Sequence, residues 1–287
     1  MIRVTLASNA IHLEAARRLL ELQPPGGCGL EILLWEPARF RLTPADARRW
    51  RLRLPVRPAS FLLLGPLALL GLVSELRLAH RRGAGLGLRW LIARACRLTL
   101  LDDGLDQYRT QPRAVDPGSF PAGITCWLFS DAPAFRAPWC RRFTCRELGP
   151  LYRPPADAAA ATASASLPAD LRDAAVLLID APGLERLADG RHPLPSPRLL
   201  VAHPVLAKRR WRGAAGTEDS SWSGPPEPLI AAFPRLVVVG ESMTLLAALR
   251  LRPAGSPLLI ALPEQVDANL ARLARSLASR DPAIQVL

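Results

Sequence analysis

The way the chain opens constrains its fold more than any other feature. Residues 2–7 alternate apolar and polar side chains as a strand does, and Ser8 and Asn9 then stand where a helix cap belongs. Ile11, Ala15, Leu19 and Leu22 follow at helical spacing, Pro24, Pro25, Gly26 and Gly27 stop that helix, and residues 30–35 form a second strand-like apolar run. Strand, helix and strand in this order predict parallel pairing through a crossover helix, and hence an α/β fold built on parallel sheets. With 287 residues, of which 49% are hydrophobic and 22% charged, the chain has material for two such domains, each with its own core.

The remainder fits that plan. An Arg-rich connection at 38–57 leads into FLLLGPLALLGLV at 61–73, which is too short to span a bilayer and is interrupted by Gly65, Pro66 and Gly71. A buried helix is expected there, with a segment dipping into a membrane surface as the alternative. The polar stretch His80, Arg81, Arg82 ends it; a helix at 86–95 and a strand at 97–101 follow. Beyond Pro150, Pro154 and Pro155 the chain turns into an Ala/Ser/Thr run suited to a connection. The predicted division is a first domain at 1–150, a linker at 151–172 and a second α/β domain at 173–287. In that second domain, apolar runs at 174–179, 198–202, 236–239 and 258–262 predict strands. Leu270, Leu273, Ala274 and Leu277 predict an amphipathic helix stopped by Pro282.

A net charge of +12 and a pI near 11.0 invite a nucleic-acid reading. Lys208, however, is the only lysine, and the arginines are scattered through every segment instead of forming a stripe. An anionic ligand or a membrane surface fits this better, and no nucleic-acid partner is expected. The five cysteines, Cys28, Cys96, Cys126, Cys140 and Cys145, form no CxxC pair, and no histidine stands near Cys140 and Cys145. Reduced, mostly buried thiols are the expectation, with no metal site. Residues 1–6 run straight into a strand pattern without a basic and then apolar leader, so a cytoplasmic protein is expected, with peripheral membrane association.

Three places carry candidate chemistry. In RLTLLDDGLDQY at 97–108, Asp102 and Asp103 stand at the carboxyl end of a strand, where open α/β sheets bind ligands. They are either turn residues ahead of Gly104, or one of them is a general base whose proton affinity is set by its neighbour's charge and partial burial. His203 and Pro204 follow the run at 198–202, placing an imidazole where it would suit a leaving phosphate; a surface histidine in a proline turn is the alternative. His192 and Pro193 repeat the dipeptide in a loop and are read as structural. Ser242 and Thr244, in GESMT at 240–244, precede a helical stretch at 245–251, which offers N–H groups and hydroxyls to an anion or simply an N-cap.

In order, LLDDGLDQY, LLVAHP and VVVGESMTLLAAL resemble the motifs of bacterial sialyltransferases and polysialyltransferases of GT-B fold. Those are an acidic-acidic-glycine motif in a first Rossmann-like domain, and an HP motif and a serine motif in a second. The resemblance implies two Rossmann-like domains facing an interdomain cleft, and inverting transfer of a sialic-acid-like sugar from a CMP-sugar donor to a hydroxyl of a glycan or glycolipid acceptor, without a cofactor or metal. It implies Asp102 as the acceptor-side base, with Asp103 as the reserve or its orienting partner. His203, with Pro204, and Ser242, with Thr244, would meet the CMP phosphate, and Glu227 the donor's ribose. Two departures stand out: Met243 replaces a second hydroxyl residue, and residues 205–223 are long, basic and Trp-containing. A GT-B protein using another nucleotide-sugar, or an inactive nucleotide-binding scaffold, is the alternative.

Overall fold

In the computed structural model, residues 1–24, 29–38, 40–80, 85–104, 120–130, 137–151, 176–179, 198–201, 219–222, 227–233, 235–239, 244–253, 255–262 and 266–287 are described. They fall in two compact units, Met1–Leu151 and Tyr152–Leu287.

The first unit runs β1 (Ile2–Ala7), α1 (Ala10–Leu22), β2 (Leu30–Trp35), α2 (Pro44–Arg49), β3 (Leu52–Pro55), α3 (Pro58–Leu69), β4 (Val73–Leu78), α4 (Leu86–Arg94), β5 (Leu98–Leu101), β6 (Thr125–Leu128), α5 (Ala137–Cys140) and β7 (Thr144–Glu147). Its seven strands are ordered β3-β2-β1-β4-β5-β6-β7, and every pair is parallel. The order reverses between β1 and β4. At such a switch point, adjoining crossovers leave on opposite faces and open a crevice at the carboxyl ends of the strands.

The pleat separates the two faces. Val4, Leu6, Ile32, Leu34, Leu76 and Leu100 form one, covered by Leu64 of α3, Leu88 and Leu91 of α4, and Trp139. The other carries Glu31, Glu75, Arg77 and Thr99, all buried. Arg77 Nη2 lies 2.8 Å from Glu75 Oε2 and Arg77 Nη1 3.6 Å from Glu31 Oε2, while Arg3 pairs with Glu31. Thr99 Oγ1 donates to Glu75 Oε1 at 2.6 Å. The terminal nitrogens of Arg77 and both oxygens of Glu31 lack hydrogen-bond geometry despite these distances, so charge proximity holds them more than aligned bonds do.

This network explains why β4 does not stand out in the sequence: VSELRL is polar for a central strand. The supposed connection at 38–57 contains α2 and β3. Helix α3 starts at Pro58, where a proline costs no hydrogen bond, and Val73 already belongs to β4. It is not the buried helix expected at 61–73, because only Ser60, Leu64 and Ala68 are buried along it. Nor are the thiols mostly buried: Cys126 is buried and Cys145, its register partner across β6 and β7, is half-buried, but Cys96 and Cys140 are exposed. Cys28 lies outside the described residues.

The second unit repeats the plan: β8 (Val176–Ile179), β9 (Arg198–Val201), β10 (Asp219–Trp222), α6 (Glu227–Ala232), β11 (Leu236–Val239), α7 (Thr244–Leu251), β12 (Leu258–Ala261), α8 (Ala268–Ala278) and β13 (Ile284–Val286). Its six parallel strands are ordered β10-β9-β8-β11-β12-β13, the same order as the first six of the other sheet. Strand β10, inside the segment at 205–223, takes one edge, and its core gathers Val238, Leu245, Ala248, Ile260 and Ala274. Among the described residues, no helix is long and apolar enough to cross a membrane.

Candidate active site at the carboxyl ends of the first sheet

Asp102 and Asp103 follow β5 directly, and the chain turns them in different directions. Asp102 is fully buried. Its Oδ1 accepts the Gly104 N–H at 2.7 Å and its Oδ2 the Phe129 N–H at 2.8 Å, which fixes the turn and ties it to the end of β6. Gly104 has φ +92°, a conformation that a side chain disfavours. A carboxylate with both oxygens on backbone donors is well suited to holding a turn.

The turn aims Asp103 the other way, toward the switch point. His12 Nε2 is hydrogen-bonded to Asp103 Oδ1, and His80 Nε2 lies 3.9 Å from the same oxygen. The two imidazoles meet edge to face with centroids 5.3 Å apart. His12 and Asp103 are almost closed to solvent, their side chains 1% and 6% exposed. No hydrogen bond among the described residues occupies Asp103 Oδ2.

Each histidine is there for a local reason. Asn9 caps α1, its Oδ1 accepting the His12 N–H at 2.9 Å, which puts His12 in the first helical turn just beyond β1. Ser8 N–H donates to His12 Nδ1 at 3.2 Å, so the proton of the neutral ring belongs on Nε2, facing the carboxylate. Asn9 Nδ2 lies 3.0 Å from that Nε2. His80 comes two residues after β4. The group thus draws one residue from the end of each of β1, β4 and β5, the strands around the reversal.

Two imidazole nitrogens and a carboxylate oxygen within 4.8 Å of one another could also hold a metal ion. Ser8 already occupies Nδ1 of His12, so an ion would have to displace the proton that Nε2 shares with Asp103.

Sequence reasoning named Asp103 but missed His12 and treated His80 as the polar end of a helix. The strand-end rule applied to Asp102 would have found His12 had it been applied to β1. Of the other named residues, His203, Pro204 and Ser242 lie outside the described residues. Glu227 and Thr244 open α6 and α7, and Thr244 comes shortly after the end of β11; their side chains are not described.

No protein-family model and no curated protein matches the chain. Solved structures do. LpCGTa in complex with UDP aligns with a TM-score of 0.52 at 14% identity, over 99% of this chain and 84% of that one. Phytolacca americana UGT2, complexed with UDP-2fluoro-glucose and pterostilbene, aligns at 0.49 and 13% identity over 99% and 85%. E. coli ADP-heptose lps heptosyltransferase II aligns at 0.46 and 13% over 100% and 89%. At these identities the likeness concerns the fold, and it rests on the first of the three. The chain has an α/β fold of the GT-B type, two Rossmann-like units with parallel sheets.

Proposed function

We propose that the chain is a glycosyltransferase that moves a sugar from a nucleotide-sugar donor to an acceptor hydroxyl, with Asp103 as the acceptor-side base. The observation that carries this is the His12, His80 and Asp103 group at the switch point of the first sheet, in a fold shared with glycosyltransferases. The acceptor's O–H donates to Asp103 Oδ2 while its oxygen attacks the anomeric carbon. The bond from that carbon to the donor phosphate breaks, its electron pair leaves with the nucleotide, and the proton stays on Asp103. His12, donating to Oδ1, orients the carboxylate and stabilises its charge before reaction. In this reading Asp102 holds the turn, and the base role assigned to it on motif position passes to its neighbour.

The donor proposal is a CMP-sugar of sialic-acid type, transferred with inversion, and it rests on the ordered motif resemblance. His203 with Pro204, Ser242 and Thr244 would stabilise the departing phosphate, and Glu227 would hold the ribose. A UDP-sugar is the second reading, favoured by the UDP bound in LpCGTa. The acceptor proposal is a glycan or glycolipid hydroxyl, and no metal is invoked.

Thermal shift with CMP and UDP, followed by nucleotide release from CMP-sialic acid and UDP-glucose, tests this. Stabilisation by one nucleotide and its release by wild type but not by Asp103→Asn is the expected result. Full turnover by Asp103→Asn would remove the base assignment. Nucleotide binding with no turnover of any donor would favour the scaffold reading, and no response to any nucleotide would overturn the proposal.

A further inference from the structure

Helix α3 is apolar on every side, but only one side is covered. Ser60, Leu64 and Ala68 face the sheet, and Gly65 and Phe61 meet Trp90 and Gly87 of α4. On the outer side, positions 62, 63, 66 and 69, with 70 at the C-cap, are leucine or proline and are all exposed, while Leu67 is half-buried. Leu62 is 77% exposed, Leu63 53%, Leu69 63% and Leu70 72%. At 3.6 residues per turn these five positions fall within an arc of about 120°, the width of a stripe that a globular helix turns inward. Leu72, after the helix, and Leu86, beside Gly87 at the Phe61 contact, are exposed as well. A leucine face of this kind, held in place by packing behind it, marks a docking surface.

The charge around it indicates the partner. Arg57 stands at the N-cap of α3, and with Arg41 and Arg53 it lines an open groove of about 590 Å³ bordered by Trp35, Pro37 and Pro55. All three arginines are exposed, as are Arg89 and Arg94 on α4. Between residues 51 and 101 the only acidic residue is Glu75, and it is buried against Arg77. The exposed arginines of residues 51–101, Arg53, Arg57, Arg89 and Arg94 among them, therefore share the leucine face's own segment with no exposed carboxylate of that segment, Glu36 being the acidic residue beside the groove. A second copy docked symmetrically would bring these arginines against one another. An anionic bilayer matches both parts, taking leucines into the acyl boundary and arginines at headgroup depth.

We infer that the first unit docks on an anionic membrane surface through the outer face of α3, with the arginines of the neighbouring groove and of α4 at the lipid headgroups. This does not depend on the transferase reading.

Co-sedimentation of the full chain with vesicles tests it, using phosphatidylcholine alone and phosphatidylcholine mixed equally with phosphatidylglycerol. Binding to the mixed vesicles that weakens with salt is expected. The triple variant Leu62→Ser, Leu69→Ser, Leu70→Ser should bind at least about tenfold more weakly with a nearly unchanged melting temperature, since these side chains are mostly exposed. Arg57→Gln, Arg89→Gln and Arg94→Gln should each lower affinity for the anionic vesicles by roughly fivefold. Absence of binding to either vesicle, or binding unaffected by the leucine changes, would overturn the inference. So would a wild-type dimer in sedimentation equilibrium that the leucine changes disperse, because the face would then belong to a second copy.

Discussion

The first sheet carries two buried groups of charged side chains on the same strands, used in opposite ways. In its middle, Glu31 and Glu75 are set against Arg3 and Arg77, and Thr99 takes up a remaining carboxylate oxygen. At its carboxyl edge, Asp103 has His12 on one oxygen and, among the described residues, no hydrogen bond on the other. Burial of charge therefore does not by itself mark a reactive site. The middle group is closed by charge, each carboxylate set beside a guanidinium, and removing a member leaves a charge stranded; the edge group stands at the strand ends, where the second oxygen of Asp103 is what a substrate proton needs.

Removing Arg77 should produce the largest effect. Arg77→Met leaves Glu31 and Glu75 facing each other across β1 in a buried site, at a cost of about 3–5 kcal/mol. Urea denaturation measures it, and a loss under about 1 kcal/mol would mean that Arg3 alone neutralises the network. Asp103→Asn should do the reverse. Stability should stay within about 0.5 kcal/mol, because the amide keeps an oxygen for His12, while turnover falls by roughly 10²- to 10⁴-fold. Asp102→Ala is the control between them: it strands the N–H groups of Gly104 and Phe129 and should cost about 1–3 kcal/mol, lowering activity through the turn.

Acid titration sharpens the same contrast. Burial raises the Glu31 carboxyl despite Arg77 and Arg3, so its contribution weighs against the fold as the pH rises from the ordinary 4.5 toward that raised native value, and is level above it. Asp46 behaves oppositely. Burial would raise it, but hydrogen bonds from the Arg17 side chain and from the Thr43 backbone and hydroxyl overcome that and hold it at about 2, below its ordinary 3.8. A native value below the unfolded one stabilises at higher pH. About 2 kcal/mol should be present above pH ~4 and lost as the pH falls toward ~2. Asp46→Asn should flatten that part of the stability curve; an unchanged acid limb would show that Arg17 contributes little.

Strands came through the sequence by alternation in β1 and, where burial on both faces made them mostly apolar, as runs in β2, β5, β11 and β12. Strand β4 did not, because Glu75 and Arg77 are legible as interior residues only once Glu31 and Thr99 are known to lie beside them. Edge strands β3, β7 and β10 have little apolar pattern to show. Helix α3 failed in the other direction: composition says apolar, and nothing local says which face lacks a neighbour. At the site, a doublet of acids after a strand was readable, but its division of labour was not. That depends on Phe129 and on His12, twenty-seven residues after Asp102 and ninety-one before Asp103.

Asn9 gives the smallest and most discriminating test of the edge group. Its Oδ1 caps α1 through the His12 N–H, and its amide nitrogen lies beside His12 Nε2. Asn9→Ala removes both and should cost about 1 kcal/mol, the usual value of a cap. Asn9→Asp restores the cap, and its charge suits a helix N-terminus, so stability should return. It also sets a second carboxylate beside the Nε2–H that Asp103 receives. If His12 matters by donating to Asp103, Asn9→Asp should be as stable as wild type yet turn over more slowly, with kcat falling more than KM rises. If both variants recover activity in proportion to stability, His12 is only a helix residue and the edge group is reduced to Asp103 alone.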